Sequence, residues 1–223
     1  MGGPLVSLLA ALGEGDWLRA LADLIVLALL LGVAFPLHEL AHALAARYLG
    51  DRTAEYEGRI TLNPLVHLDP IGALMLALAG FGWAKPVPVN PYRLRPEPRI
   101  GGAIVALAGP LMNLALAVGF AVVFQVAGAL RTTTLVGALP LLLQMVGTTG
   151  VVLNIFLALF NLVPVPPLDG SRLLAALFPE ASEFLLYRLG QYGFLIIILL
   201  SVSGVLGMVI GPPARFLINI LLG

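Results

Sequence analysis

Residues 24–46 are apolar except for three ionisable side chains, His38, Glu39 and His42, and no other feature constrains the chain as strongly. A run of this length reads as a helix that crosses a bilayer. An ionisable group at that depth costs at least about 2.5 kcal/mol on insertion scales, so three together call for a shared partner. Their order supplies one. In His38-Glu39-Leu40-Ala41-His42 the four-residue spacing puts both imidazoles on one helix face, a turn apart, where they can share a zinc ion with Glu39 beside it. The plainer reading, a buried polar cluster that packs helices, leaves the spacing unexplained. The chain has no cysteine, so nitrogen and oxygen must hold the metal.

The rest of the chain is equally suited to lipid. It is 60% hydrophobic and 11% charged, with a mean hydropathy of +1.02. Residues 100–130, 132–168 and 189–214 are uncharged and long enough to span, with Arg131 marking the turn between the first two. Residues 71–83 are too few to cross and are expected to form a short or re-entrant helix, and the tail 216–222 is too short to span alone. Residues 51–62 mix polar and β-prone types, which predicts a strand or hairpin at the membrane surface. Residues 85–99 carry five prolines and four basic residues, which predicts an extended loop with an edge strand over 86–90. The expectation is an all-α integral membrane protein: a polytopic bundle of four to six spans or partial spans, with short membrane-surface strands, forming a single core domain over residues 1–223.

Charge placement sets orientation and excludes one class of partner. Arg47, Arg52, Arg59, the basic residues of 85–99, Arg172 and Arg188 fall on one side, expected to be cytoplasmic, with Arg131 as the exception. The formal net charge is zero and the charges are dispersed, which gives nucleic acid nothing to bind. The first twelve residues lack the basic start and small-residue cleavage site of a removable signal peptide.

A catalytic zinc site uses three protein ligands and keeps one position open. Two candidates exist for the third ligand. His67 is the only other histidine, and Asp169 ends a long uncharged run directly before Gly170. Asp169 is preferred, because Pro164, Pro166 and Pro167 break the helix before it and free its carboxylate to turn inward. His67, in a polar loop, reads first as a structural hydrogen-bonding residue and second as a group that polarises substrate. Asn113 and Asn161 are amides in apolar runs, suited either to holding a substrate backbone or to bonding across helices. Pro36, just upstream of His38, is expected to disturb the helix one turn earlier. Glu39 has the position of a general base that activates a zinc-polarised water toward a peptide carbonyl. Rival readings are a metal-ion or solute transporter, which has no need of that glutamate, and a scaffold with a structural zinc, which would close the fourth position.

Three separated signatures carry a resemblance over nearly the whole chain: His38-Glu-Leu-Ala-His42, Gly109-Pro-Leu-Met-Asn113, and Asn161-Leu-Val-Pro-Val-Pro-Pro-Leu-Asp169-Gly170. Together they resemble the site-2 protease family of intramembrane zinc metalloproteases. The segments that begin at Gly58 and Gly82 are similar to its small bacterial and archaeal branch. The resemblance implies one zinc per chain on His38, His42 and Asp169, Glu39 as catalytic acid and base, and Asn113 and Asn161 placing substrate. It implies substrates that are membrane proteins with a transmembrane segment, cleaved in a prokaryotic cell membrane near its cytoplasmic side. The connections are too short for an inserted PDZ domain, no nucleotide-sensing domain is evident, and the residues before the metal-bearing helix leave little room for an extra span.

Overall fold

Local signals start and stop each helix. Helix α1 (Pro4–Glu14) ends at Gly15, whose φ of 74° favours glycine. The next helix starts one residue later, where Asp16 accepts a hydrogen bond from the Arg19 amide at 3.0 Å. That first span is built in three parts: α2 (Trp17–Leu29), a π-turn at Leu30–Ala34, and α3 (Phe35–Tyr48). Pro36 accounts for the widened turn. It lacks an N–H and its ring crowds the carbonyl four residues back, so the turn before it opens and the Phe35 amide reaches Leu30 O. The structure, a computed structural model, describes residues 3–130, 139–178, 180, 188 and 190–223. The turn expected at Arg131 lies outside these.

Two single-turn helices, α4 (Thr53–Tyr56) and α5 (Pro64–His67), precede α6 (Pro70–Ala79). Asp69 caps α6 by accepting from the Gly72 amide at 2.8 Å, and Gly80 stops it at a φ of 74°. At about 1.5 Å per residue, α6 reaches only halfway through a hydrocarbon core, as its short apolar run predicts. It meets α1, where the Gly3 amide donates to Leu78 O at 2.6 Å. The chain then runs as irregular backbone, with a 3₁₀ turn at Pro91–Arg93, into the long helices α7 (Pro98–Leu130) and α8 (Leu139–Asn161). Helices α9 (Asp169–Leu177), α10 (Gly193–Val202) and α11 (Val205–Leu222) complete the described chain.

Among the described residues, four helical segments are long and apolar enough to cross a membrane: Trp17–Tyr48, Pro98–Leu130, Leu139–Asn161 and Val205–Leu222. The expected all-α membrane bundle is therefore present. Its centre is the α7–α8 pair, which small residues bring close together. Gly147 faces Phe124 and Gly150 faces Phe120, and a Cβ at Gly150 would lie 2.5 Å from Phe120 Cδ1. Ala117, Ala121, Val151 and Ile155 extend that contact to Ile210 and Ala214 of α11. Helix α3 packs on the other side of α7 and runs antiparallel to it, pairing His38 with Asn113 and His42 with Val105.

Two expectations are corrected. No strand forms among the described residues, and their only β-bridge is an isolated antiparallel one between Leu68 and Ala84. In residues 51–62 the Asp51 carboxylate accepts from the Thr53 amide at 3.0 Å and its hydroxyl at 2.6 Å, which nucleates α4 in place of a strand. Residues 86–90 are irregular, and Pro86 and Pro88 offer no N–H for a ladder. The second correction concerns residues 189–214, which do not form one span. Helix α10 ends at Val202, Gly204 adopts a φ of 79°, and α11 begins at Val205, so the tail at 216–222 belongs to a span. Glycine does not interrupt an apolar run, so hydropathy does not register that break.

Candidate metal centre

Residues His38 and His42 share the face of α3 turned toward α7, as their spacing dictates, and both are buried. Their Nε2 atoms are 3.0 Å apart. Asp169, the first residue of α9, projects Oδ2 to 3.3 Å from each. The helix-breaking segment before it achieves what its prolines predict, and it packs closely. The Leu162 and Val163 carbonyls lie where a Cβ of Gly170 would be, so only glycine fits after Asp169. These three residues form a group able to hold a metal ion.

Hydrogen bonding fixes which nitrogens are available. His42 Nδ1 lies 2.7 Å from Val105 O, and a carbonyl can only accept, so Nδ1 carries the proton and Nε2 the lone pair. For His38 the same conclusion comes through a longer chain that ends on another carbonyl. Asn154 Nδ2 donates to Gly150 O at 2.9 Å, which leaves Asn154 Oδ1 to accept from Asn113 Nδ2 at 2.9 Å. Asn113 Oδ1 then accepts from His38 Nδ1 at 2.6 Å. Both Nε2 atoms are thus presented as acceptors toward Asp169 Oδ2, which is buried with no hydrogen-bond partner among the described residues. Three converging lone pairs repel one another unless a cation lies between them. Tetrahedral zinc with bonds of about 2.0–2.1 Å would space its ligand atoms about 3.3–3.4 Å apart, close to the separations seen here. The donor set fits zinc, and both imidazoles have the oriented outer hydrogen bond that metal-bound histidines use.

The middle signature contributes through Gly109 as well as Asn113, which its spacing does not reveal. A Cβ at Gly109 would lie 2.5 Å from His38 Cε1 and Nε2 and closer still to His42 Nε2, so the rings rest on bare backbone. Asn154 is a second functional residue that sequence reasoning misses. Its only signal is an amide within an apolar run, the same signal that singles out Asn113 and Asn161. What distinguishes it is the partner opposite.

The site opens onto a cavity of about 200 Å³ lined by His38, Glu39, His42 and Asp169, with Asn161 and Arg172 also on its wall. Glu39 faces this space although it is largely buried. Irregular backbone forms one side, where Trp83, Ala84, Pro86, Val87 and Val89 line the cavity. Two buried side chains hold that backbone. Asp51 accepts from the Asn90 amide at 2.6 Å, and Arg59 donates to Pro86 O at 3.0 Å and Lys85 O at 2.5 Å. Burial pushes the Asp51 carboxyl up, but its hydrogen bonds from Thr53 and Asn90, with the charge of Arg93, outweigh this and hold it below the ordinary carboxylate range.

The remaining candidates are placed as follows. Asn113 is fully buried, with its amide engaged by His38 and Asn154, which is the cross-helix arrangement. Asn161 Nδ2 donates to Leu157 O at 2.9 Å, and its side chain borders the cavity. His67 is buried away from the cavity lining and donates from Nε2 to Thr61 O at 2.9 Å.

Two histidines and an aspartate placed to share a metal ion, among helices long and apolar enough to cross a membrane, define a membrane metalloprotein site, and the comparisons name its chemistry. The description Peptidase family M50 matches residues 26–203. The protein named "Putative zinc metalloprotease YwhC" of Bacillus subtilis (strain 168) is 41% identical over 182 residues, covering 81% of this chain and 81% of its own length. "Putative zinc metalloprotease MJ0611" of Methanocaldococcus jannaschii is 34% identical over 146 residues, covering 64% of this chain and 65% of its own length. "Putative zinc metalloprotease Rip2" of Mycolicibacterium smegmatis is 32% identical over 177 residues, covering 75% of this chain and 62% of its own length. No solved structure matches the chain significantly. The chain belongs to peptidase family M50, the site-2 protease family, and is an integral membrane zinc metalloprotease.

Proposed function

We propose that this chain is an intramembrane endopeptidase that hydrolyses peptide bonds within or near the transmembrane segments of membrane proteins, with Glu39 as general base. The observation that carries this reading is that Glu39 borders the same cavity as the two Nε2 atoms and Asp169 Oδ2, on a helix long and apolar enough to cross the membrane. Zinc held by His38, His42 and Asp169 would supply Lewis acidity, making water nucleophilic near neutral pH and polarising a peptide carbonyl. Glu39 takes the proton from the attacking water and delivers it to the leaving amine nitrogen. Asn113 and Val105 O keep the imidazoles oriented throughout, and Asn161 and the 83–89 backbone border the space for the substrate chain.

An adjoining cavity of about 310 Å³ supports an apolar substrate. It shares Phe35, Gly82, Leu157 and Phe160 with the site and is otherwise lined by side chains such as Leu76, Phe156 and Leu206. The C-terminal end of α3 and the N-terminal end of α7 lie together, and the basic residues Arg47, Arg52, Arg59, Lys85, Arg93, Arg95 and Arg99 cluster in sequence around these ends. By the positive-inside tendency, that side is the cytoplasmic face of a prokaryotic cell membrane, and the site lies nearer to it.

The test pairs metal content with cleavage. Purified protein should hold one zinc per chain, keep it in Glu39→Gln and His67→Ala, and lose it in Asp169→Ala. Cells carrying Glu39→Gln should accumulate uncut membrane proteins that disappear when the wild type is restored, with the cleavage rate down by about 10²–10⁴. Full zinc in Asp169→Ala, or undiminished cleavage by Glu39→Gln, would overturn the assignment.

A further inference from the structure

Arg59 is a cation buried beside the catalytic cavity without belonging to the metal centre. It is 2% exposed, and its fixed partners are the carbonyls of Lys85 and Pro86. Among the described residues its Nε is buried with no hydrogen-bond partner, and no carboxylate lies within ion-pair distance of it. Burial pushes the guanidinium below the ordinary arginine range, while the charges of Glu39 and Glu57 act against that shift. A buried guanidinium without a carboxylate partner is costly to keep. The carbonyls it binds belong to backbone that is itself outside any sheet or helix. Pro86 and Pro88 have no N–H, and two other bonds fasten this stretch. The Lys85 amide donates to His67 O at 2.8 Å, and the Asn90 amide donates to Asp51 Oδ2 at 2.6 Å. Between those two fixed points lie Pro86, Val87 and Val89, all lining the cavity.

We infer that Arg59 is a positioning residue that clamps the 85–86 backbone and so sets the wall against which the substrate chain lies; this rests on the proteolytic reading above. A planar guanidinium suits the task, since its fork can hold two adjacent carbonyls where a lysine ammonium would hold one well. Loss of the clamp frees the wall and leaves His38, His42 and Asp169 in place, because those residues are held by α3, α7 and the turn before α9. The expected kinetic signature is therefore weaker substrate binding with zinc and turnover retained.

Two measurements test this. The chain has no cysteine, so Val87→Cys gives a single thiol in the wall, and its reaction rate with a water-soluble maleimide reports how well the wall is held. Adding Arg59→Ala should speed labelling at least tenfold, roughly the change that loss of one charged hydrogen bond produces, with Arg59→Lys intermediate. An unchanged rate overturns the clamp, and this arm needs no substrate, so it stands even if the proteolytic reading fails. The second arm uses Arg59→Ala and Arg59→Lys in an otherwise unaltered chain with a quenched fluorogenic apolar peptide. KM should rise about tenfold in Arg59→Ala with kcat and zinc content kept, and Arg59→Lys should recover part of the loss. Loss of zinc, or a fall in kcat at unchanged KM, overturns the positioning role. A wild type that cleaves nothing contradicts the proteolytic reading instead, and the labelling result then decides the clamp alone.

Discussion

Helices α3, α7 and α8, with the first residue of α9, carry one half of the site, and the irregular backbone at 83–90 carries the other; the two are secured by different means. In the helical half, contact is made by removing side chains. Gly109 lets the imidazoles rest on α7, and Gly147 and Gly150 let α8 close on Phe124 and Phe120. A polar chain then runs across three helices, from Gly150 O through Asn154 and Asn113 to His38. In the irregular half, contact is made by adding side chains: Asp51 reaches across to hold one backbone amide and Arg59 to hold two carbonyls. The difference suits the chemistry. Metal ligands tolerate little displacement, and side chains on packed helices are held more precisely than those on irregular backbone.

The largest effect is expected from Gly109→Val. If the helical half depends on bare backbone beneath the rings, the added side chain should displace both imidazoles, abolish zinc binding and destabilise the fold by about 1–3 kcal/mol. Zinc content and thermal unfolding in detergent check this, and a variant with full zinc would show that the close approach is dispensable. Asn154→Leu probes the same half more gently. It keeps the branched heavy-atom skeleton but leaves Asn113 Nδ2 buried without an acceptor, so zinc affinity should fall about 10–100-fold in a chelator competition. Unchanged affinity would mean that Val105 and Asn113 orient the imidazoles without help from α8.

The smallest effect on zinc belongs to the irregular half. The Asp51 carboxyl is harder to protonate folded than unfolded, so its contribution to stability is complete above the ordinary carboxylate range and is lost as pH falls through its lowered folded value. Asp51→Asn should cost about 1–3 kcal/mol near neutral pH and flatten the acid limb of the stability profile, with zinc affinity unchanged. Unfolding measured across the acid range checks the slope; an Asp51→Asn protein with reduced zinc would show that the two halves are coupled.

How much of the molecule is legible in the sequence differs between the same two halves. His38 and His42 can be paired because helical spacing alone sets their geometry, and Asp169 stands out because carboxylates are scarce near apolar runs. Asn154 does not stand out as part of the site, and Gly109 does so only as the first residue of a signature, without its contact with the rings. Their roles come from what lies opposite them on another helix, and single-chain spacing carries no information about that. The strand expected at 51–62 fails because β-prone composition is outweighed by one local interaction, the Asp51 carboxylate on Thr53. The span expected at 189–214 fails because Gly204 changes the backbone direction without changing the hydropathy.

The π-turn at Leu30–Ala34 sets the relative phase of the two ends of the first span. In an unbroken α-helix the angle between two side chains is fixed by their separation, at about 100° per residue. A wider turn adds an offset, so α2, which meets α1 and α8, and α3, which meets α7, are in different phase. The two ends of one continuous helix therefore answer to different neighbours. The offset lets α3 turn its imidazole face to α7 while α2 packs on α1 and α8.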